Sequence, residues 1–312
     1  MKEINVDVII PAYHPGKEFG ELLRRLMKQD YPVHRIIIMN TEQEFWNEQW
    51  EKDCPLLEVH HLKKSEFDHG RTRKRAAGLS EAEIIMFMTQ DALPVDDLYL
   101  SNLIQGFEDN DVVMISGRQV PKSDANYVER LTRAFNYPAI SNVRSQKDIE
   151  SMGIKAYFFS DVCAAYRRSF LEETGGFDSP IISNEDMLLA AKALQAGYRV
   201  RYEAKAEVYH SHNFSLRYQY CRNFDVAVFM EMYKDIVKGD GTTEEGIRMV
   251  LYTEKELFLH LHFVSMFRCV FESAAKFLGN RAGRRYRSLS KEKIMKRTSN
   301  PVFWKSNDIF NH

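Results

Sequence analysis

The first half of the chain alternates short β-branched apolar runs with longer amphipathic stretches, the pattern of strands feeding crossover helices in a mainly parallel sheet. Val6–Ile10, Arg35–Met39, Leu57–His61, Ile84–Met88 and Val112–Ser116 read as strands. Between them Glu18–Gln29, Arg71–Ser80 and Leu98–Phe107 read as helices, with residues such as Leu22, Leu23 and Leu26 on one apolar face. Beyond Ala125 the alternation loosens. A helix is expected at Tyr127–Asn136, an extended segment at Tyr157–Ala165, and a helix at Arg168–Thr174 that Gly175-Gly176 stops. Asn184–Ala196 carries a strong helix start, with Asn184 placed to cap and Glu185 and Asp186 in the first turn, where the macrodipole favours carboxylates. Gly197 ends it, and two short strands, Arg199–Tyr202 and Glu207–His210, follow. From Leu216 onward the sequence reads as two long helical pieces broken around Gly239-Asp240-Gly241. The expected organisation is an α/β domain over residues 1–213 and a helical region over residues 214–312.

Bulk properties narrow the class. At 312 residues, 44% hydrophobic and 28% charged, the chain has the composition of a globular protein with a sizeable core. A net charge of −1 gives nucleic acid nothing to attract, so no nucleic-acid partner is expected. Cys54, Cys163, Cys221 and Cys269 lie far apart without a CxxC pair, which argues against a disulfide framework or zinc knuckle and for a reducing compartment. The amino terminus lacks a basic-then-apolar leader, and no apolar run reaches about 18 residues, so a cytoplasmic protein without a membrane-spanning helix is expected.

In open α/β sheets ligands bind beyond the carboxyl ends of the strands, so the residues just after each strand are the ones to inspect. The first strand ends in Pro11-Ala12-Tyr13-His14-Pro15-Gly16, which lacks the GxGxxG spacing of a dinucleotide fold. It is also not the glycine-rich phosphate cradle expected of a nucleotidylyltransferase. The fourth strand ends in Thr89-Gln90-Asp91, which places an acid where a cation-bound diphosphate is held. Between them Phe67-Asp68-His69-Gly70-Arg71-Thr72-Arg73 forms a polar, basic turn opening a helix, suited to phosphate. Trp46 and Trp50, four apart, fit helix packing better than sugar stacking.

An ordered set of motifs from Asp7 to Asn213 resembles a known family. Val8-Ile9-Ile10-Pro11-Ala12-Tyr13, Gln29-Asp30-Tyr31-Pro32, Asp68-His69-Gly70-x-Thr72-Arg73 and Phe87-Met88-Thr89-Gln90-Asp91-Ala92 come first. Gly176-Phe177-Asp178, Asn184-Glu185-Asp186 and His210-Ser211-His212 follow. Together they resemble the family 2 inverting glycosyltransferases of GT-A fold, and within them the bacterial rhamnosyltransferases that build cell-surface polysaccharides. The resemblance implies transfer of a sugar, L-rhamnose from dTDP-L-rhamnose, to a growing glycan acceptor, with the polyprenol-linked form one option. Transfer from a UDP-sugar by the same machinery, or a non-catalytic glycan-binding subunit of the same fold, stay open as alternatives.

The reaction needs a base to take the proton of the acceptor hydroxyl, and Asp186 matches the family base, with Glu185 on the acceptor side. The like charge of Glu185 favours the protonated form of its neighbour. A divalent cation, Mn2+ or Mg2+, neutralises the leaving diphosphate, with Asp91 and His212 as its implied ligands and His210 ranked behind them. Thr89 stands where most members carry the first acid of DxD. Pro11, Ala12 and Tyr13 are implied to flank the nucleotide base, with Thr41 or Glu42 replacing the usual aspartate after the second strand. Asp68, Arg73, Gln90 and Asp91 complete the nucleotide-sugar candidates.

The carboxyl-terminal segment adds a different signal. Leu257, Leu261, Val264, Phe267, Phe271, Ala274 and Leu278 recur at helical spacing, and Leu259, Phe263, Met266 and Val270 widen the apolar face. From Arg281 to Arg297 eight Arg and Lys residues face one acid, Glu292, as a basic tail. The pattern fits a helix lying on an anionic membrane surface, and equally one buried against the catalytic domain or in a homo-oligomer.

Overall fold

The computed structural model describes residues 4–238 and 242–306, so the expected break at Gly239-Asp240-Gly241 lies outside the described residues. In chain order the first half comprises β1 (Val6–Tyr13), α1 (Glu18–Met27), β2 (Arg35–Thr41), α2 (Gln49–Asp53), β3 (Leu57–Leu62), α3 (His69–Ala77), β4 (Ile84–Met88), β5 (Leu93–Pro94), α4 (Tyr99–Gln105) and β6 (Val112–Val120). Then come α5 (Tyr127–Asn136), β7 (Asn142–Arg144), α6 (Asp148–Met152), β8 (Cys163–Arg167), α7 (Arg168–Thr174), α8 (Glu185–Gln195) and β9 (Arg199–Tyr209). The chain closes with α9 (Leu216–Met232), α10 (Thr242–Leu259), α11 (Phe263–Gly283), α12 (Lys291–Met295) and α13 (Pro301–Ser306).

One sheet runs in the order β3-β2-β1-β4-β8-β6-β9-β5, with β7 added on β9. The four strands β3-β2-β1-β4 are parallel, and β9 is parallel to β6. Antiparallel β8 is inserted between β4 and β6 and joins the two halves. Both faces are covered, which is why β1 and β4 read as continuous apolar runs rather than alternating ones. Ile9 faces one core and Val8 and Ile10 the other. Helix α8 is apolar on nearly every side and lies in the first core. Trp46 and Trp50 pack edge-on against each other and against Phe19 of α1, as the spacing predicts.

Several expectations need correction. Arg199–Tyr202 and Glu207–His210 are one continuous strand, because β6 pairs with both halves and a register shift between Gly117 and Arg118 absorbs the polar residues between them. The extended segment Tyr157–Ala165 becomes a strand only at Cys163; before it, Gly153–Tyr157 is a 3₁₀ turn whose aromatic neighbours sink into the core. Asn184 does not cap α8 with its side chain: it holds φ 59°, the left-handed region that asparagine tolerates. The single greasy helix is two, α10 and α11, broken at Leu261 with φ 61°.

The basic segment is no free tail either. Tyr286, Ile294, Phe303 and Trp304 return to the main core, and Asp225 accepts hydrogen bonds from Thr298 Oγ1 and Ser299 N. Gly279 and Gly283 let α11 press against α9, since a Cβ at either would sit 2.2 or 2.3 Å from the carbonyl oxygens of Tyr220 and Phe224.

Candidate active site

Two clusters of polar side chains gather at the carboxyl ends of the strands. The first is built by the turns after β1, β4 and β9. Gln90 locks the first two turns together: its Oε1 accepts from Tyr13 N at 2.7 Å and its Nε2 donates to Tyr13 O at 3.0 Å. That places Asp91 beside the chain end of β9, with its carboxylate 3.1 Å from His212 Nε2 and 3.5 Å from His210 Nε2. One donor atom from each of Asp91, His210 and His212 lies within 4.8 Å of the others, a spacing able to hold a metal ion. Burial disfavours the charge on Asp91, yet the hydrogen bond from His212 outweighs it and holds its carboxyl below the usual range. Burial in turn keeps His210 neutral.

The tautomer of His210 follows from its other neighbour. Its Nδ1 lies 2.9 Å from Gln119 Oε1, while Gln119 Nε2 donates to Tyr137 Oη at 2.8 Å and to Ser160 Oγ at 2.9 Å. With its amide so oriented, Gln119 accepts from Nδ1–H, and the Nε2 lone pair is left to face His212 Nε2 at 3.1 Å. A histidine that ligates a metal through Nε2 needs such a partner at Nδ1. The donor set of two imidazoles and one carboxylate therefore suits a divalent ion.

The second cluster sits at the start of α8. Asp186 accepts from Asp161 N at 3.0 Å and from Met187 N at 2.7 Å. Burial, then the charges of Asp161 and Glu185, push its ionisation up to about 8. Arg73 lies between the other two acids, with Nε 2.8 Å from Asp161 Oδ2 and Nη1 2.8 Å from Glu185 Oε1, all three buried. Asp161 is raised by burial to about 6 although Arg73 and a short hydrogen bond from Tyr166 oppose this. Three carboxylates around one guanidinium cannot all be comfortably ionised, and the strain falls on Asp186.

The clusters are joined. Asp91, His210, Gln119 and Ser160 form one chain of contacts, and Ser160 precedes Asp161, which hydrogen-bonds Asp186. Of the residues singled out in the sequence, Asp91, Gln90, Tyr13 and His212 fall in the first cluster, and Arg73, Glu185 and Asp186 in the second. Pro11 and Ala12 end β1 beside them. Thr41 is buried at the end of β2, and Glu42 follows it at φ 66° with its side chain turned to Lys64 N. Asp68 caps α3 through Arg71 N at 2.8 Å and takes Ile181 N at 3.1 Å with its second oxygen. Gly70 completes that junction, because a Cβ there would sit 1.7 Å from Asp178 O. Asp161, Gln119 and Tyr166 were not found in the sequence: each lies in or beside a strand with no spacing signal of its own.

The sequence model of glycosyl transferase family 2 matches residues 7–175. The O-antigen chain rhamnosyltransferase RfbN of Salmonella typhimurium is 35% identical over 288 residues, covering 92% of this chain and 91% of that protein. The O-antigen chain rhamnosyltransferase WbaN of Salmonella anatum is 35% identical over 286 residues, covering 90% of each. Among solved structures, the mannosyltransferase PcManGT from Pyrobaculum calidifontis, in complex with GDP-Man and Mn2+, superposes with a TM-score of 0.56 at 16% identity. That likeness covers 98% of this chain and 86% of that one, and establishes the shared GT-A-like fold. With the family pattern over more than half the chain and 35% identity along nearly all of it, this protein is a member of glycosyl transferase family 2 and a glycosyltransferase.

Proposed function

We propose that the chain transfers L-rhamnose, with inversion, from dTDP-L-rhamnose to a growing cell-surface polysaccharide. One observation carries the catalytic half: Asp186 opens α8, oriented by Asp161 N and Met187 N beside the buried acids Asp161 and Glu185, which with burial push it up to about 8, close to the pH at which a general base works best. Asp186 takes the proton of an acceptor hydroxyl while that oxygen bonds the anomeric carbon. The bond from that carbon to the diphosphate oxygen breaks on the opposite face, its electrons leave with dTDP, and the proton stays on Asp186. Glu185 borders the acceptor side, and Arg73 fixes Glu185 and Asp161 in place.

Asp91, His210 and His212 would hold a divalent cation, and two imidazoles would favour Mn2+ over Mg2+. Such an ion, when bound, supplies countercharge to the leaving diphosphate. Pro11, Ala12, Tyr13, Thr41 and Glu42 border the nucleotide over the ends of β1 and β2, with Asp68 and Gln90 beside it. Residues 1–213 act as the catalytic domain and residues 214–312 as a helical region. The donor sugar is inferred from the names of the two Salmonella relatives. A polyprenol-linked acceptor at the inner face of the cell membrane, with the chain cytoplasmic, fits this reading. Among the described residues no helix is long and apolar enough to cross a membrane.

Titration calorimetry with dTDP, UDP and GDP, each with and without Mn2+, tests the donor half. Tight Mn2+-dependent dTDP binding is the expected result. A preference for UDP replaces the donor, and absence of binding to all three favours a glycan-binding subunit.

A further inference from the structure

The close packing on α9 fixes which face of α11 points outward. Cys269, Glu272, Gly279 and Gly283 are buried, so the opposite face must meet solvent or a partner. That face is apolar: Val264 is 85% exposed, Phe267 70% and Phe271 61%, with Phe277 and Leu278 both over half exposed. The turn from α10 extends it with Leu261, 71% exposed and held at φ 61°, a left-handed backbone that a leucine adopts only under strain. Twelve large apolar residues between 247 and 278 are more than half exposed, a density of exposed apolar side chains that marks an interaction surface.

The charges on the same helix decide between partners. Residues 263–285 carry Arg268, Lys276, Arg281, Arg284 and Arg285 against one acid, Glu272, a net charge of +4. Glu272 is buried and paired with Arg268 at 2.7 Å, so α11 offers water no free carboxylate. Between α10 and α11 an apolar groove of about 490 Å³ opens, lined by Met249, Val250 and Phe277 and rimmed by Lys276, Arg281 and Arg284. A second copy would press two such positive faces together in a water-poor contact, where like charges are costly. Anionic headgroups neutralise them instead, and acyl chains fill the apolar part.

We propose that the outward face of α11, with the α10–α11 turn and the groove beside it, is a docking surface for an anionic lipid bilayer. The helix lies in the plane of the interface, apolar face down, and Lys276, Arg281 and Arg285 contact phosphate groups. This deepens the reading of a membrane-held acceptor, but the surface is tested without donor or acceptor, so it stands or falls separately.

The test is sedimentation of the full chain with vesicles of phosphatidylcholine alone and of phosphatidylcholine mixed with phosphatidylglycerol. Binding to the mixed vesicles, weak binding to the neutral ones and release by salt are expected. Arg281→Glu with Arg285→Glu should weaken binding to the mixed vesicles at least tenfold, since each basic residue near such a surface contributes about fivefold. Phe267→Glu should abolish binding while donor-nucleotide affinity and the melting curve stay those of the parent; Phe267→Ser serves in its place if the acidic variant does not fold. Equal binding to both vesicle types, a chain left in the supernatant with both, or variants that bind like the parent overturn the proposal. So does light scattering that shows a dimer which Phe267→Glu breaks, because the face then covers a second copy.

Discussion

The main-chain N–H of Asp161 donates to Asp186 Oδ2 at 3.0 Å, so the residue that orients the candidate base also brings its own negative charge beside it. Burial and that charge together push Asp186 up to about 8, while the two main-chain hydrogen bonds, one to each oxygen, fix the direction of the carboxylate. Orientation and basicity therefore have a common source, and each consequence is measurable.

Only the ionised form of Asp186 accepts a proton, so kcat/KM should rise roughly tenfold per pH unit below about 8 and level off above it. Asp161→Asn removes a like charge, which lets Asp186 ionise more readily and moves the rising limb to lower pH. A pH profile of rhamnosyl transfer for parent and variant reads the displacement directly; coincident limbs would remove Asp161 from this role.

Asp186→Asn should leave nucleotide affinity near that of the parent and lower kcat by roughly 10² to 10⁴. Linkage adds a second signature. The folded carboxyl holds its proton above the ordinary carboxylate range, so the native state binds more protons than the unfolded one between about pH 4 and 8. Stability therefore falls as pH rises through that window, and Asp186→Asn should flatten the fall in thermal melts taken across it.

Much of this site was legible in the sequence because its groups sit at punctuation. Asp91 ends a strand, Asp186 opens a helix, and Asp68 and Gly70 mark a turn whose order alone pointed to a family. Asp161 and Gln119 carry no such mark. Gln119 belongs to a strand that reads as ordinary, and its importance arises from partners at positions 137, 160 and 210. The carboxyl-terminal half failed for a related reason. Apolar periodicity runs unbroken across His260-Leu261-His262, and only the backbone conformation of Leu261 shows the break. Composition likewise marked a basic tail but could not show that Phe303 and Trp304 anchor it in the core.

Gln119 sets the tautomer of His210, so Gln119→Leu should weaken Mn2+ binding by roughly 10- to 100-fold, as loss of a second-sphere partner does. Asp91→Ala should remove Mn2+-dependent nucleotide binding. Calorimetry with dTDP in the presence and absence of Mn2+ separates the two, and unchanged affinity in either variant would take that residue out of the metal site.

Arg73 shows why the buried acids tolerate one another. Its guanidinium lies 2.8 Å from both Asp161 and Glu185, and all three side chains are below one-tenth exposed. Removing one partner of such a set leaves charge buried without compensation, so Arg73→Met should destabilise the fold by about 3 to 5 kcal/mol. In a domain of this size that is a fall in Tm of roughly 10 °C. Arg73→Lys should not rescue it fully, since an ammonium lacks the planar fork that reaches two carboxylates at once. Adding Glu185→Gln to Arg73→Met removes one uncompensated charge and should recover part of the loss. A double variant no more stable than Arg73→Met alone would mean that the guanidinium serves packing rather than charge, and the elevated ionisation of Asp186 would then rest on burial and Asp161 without help from Glu185.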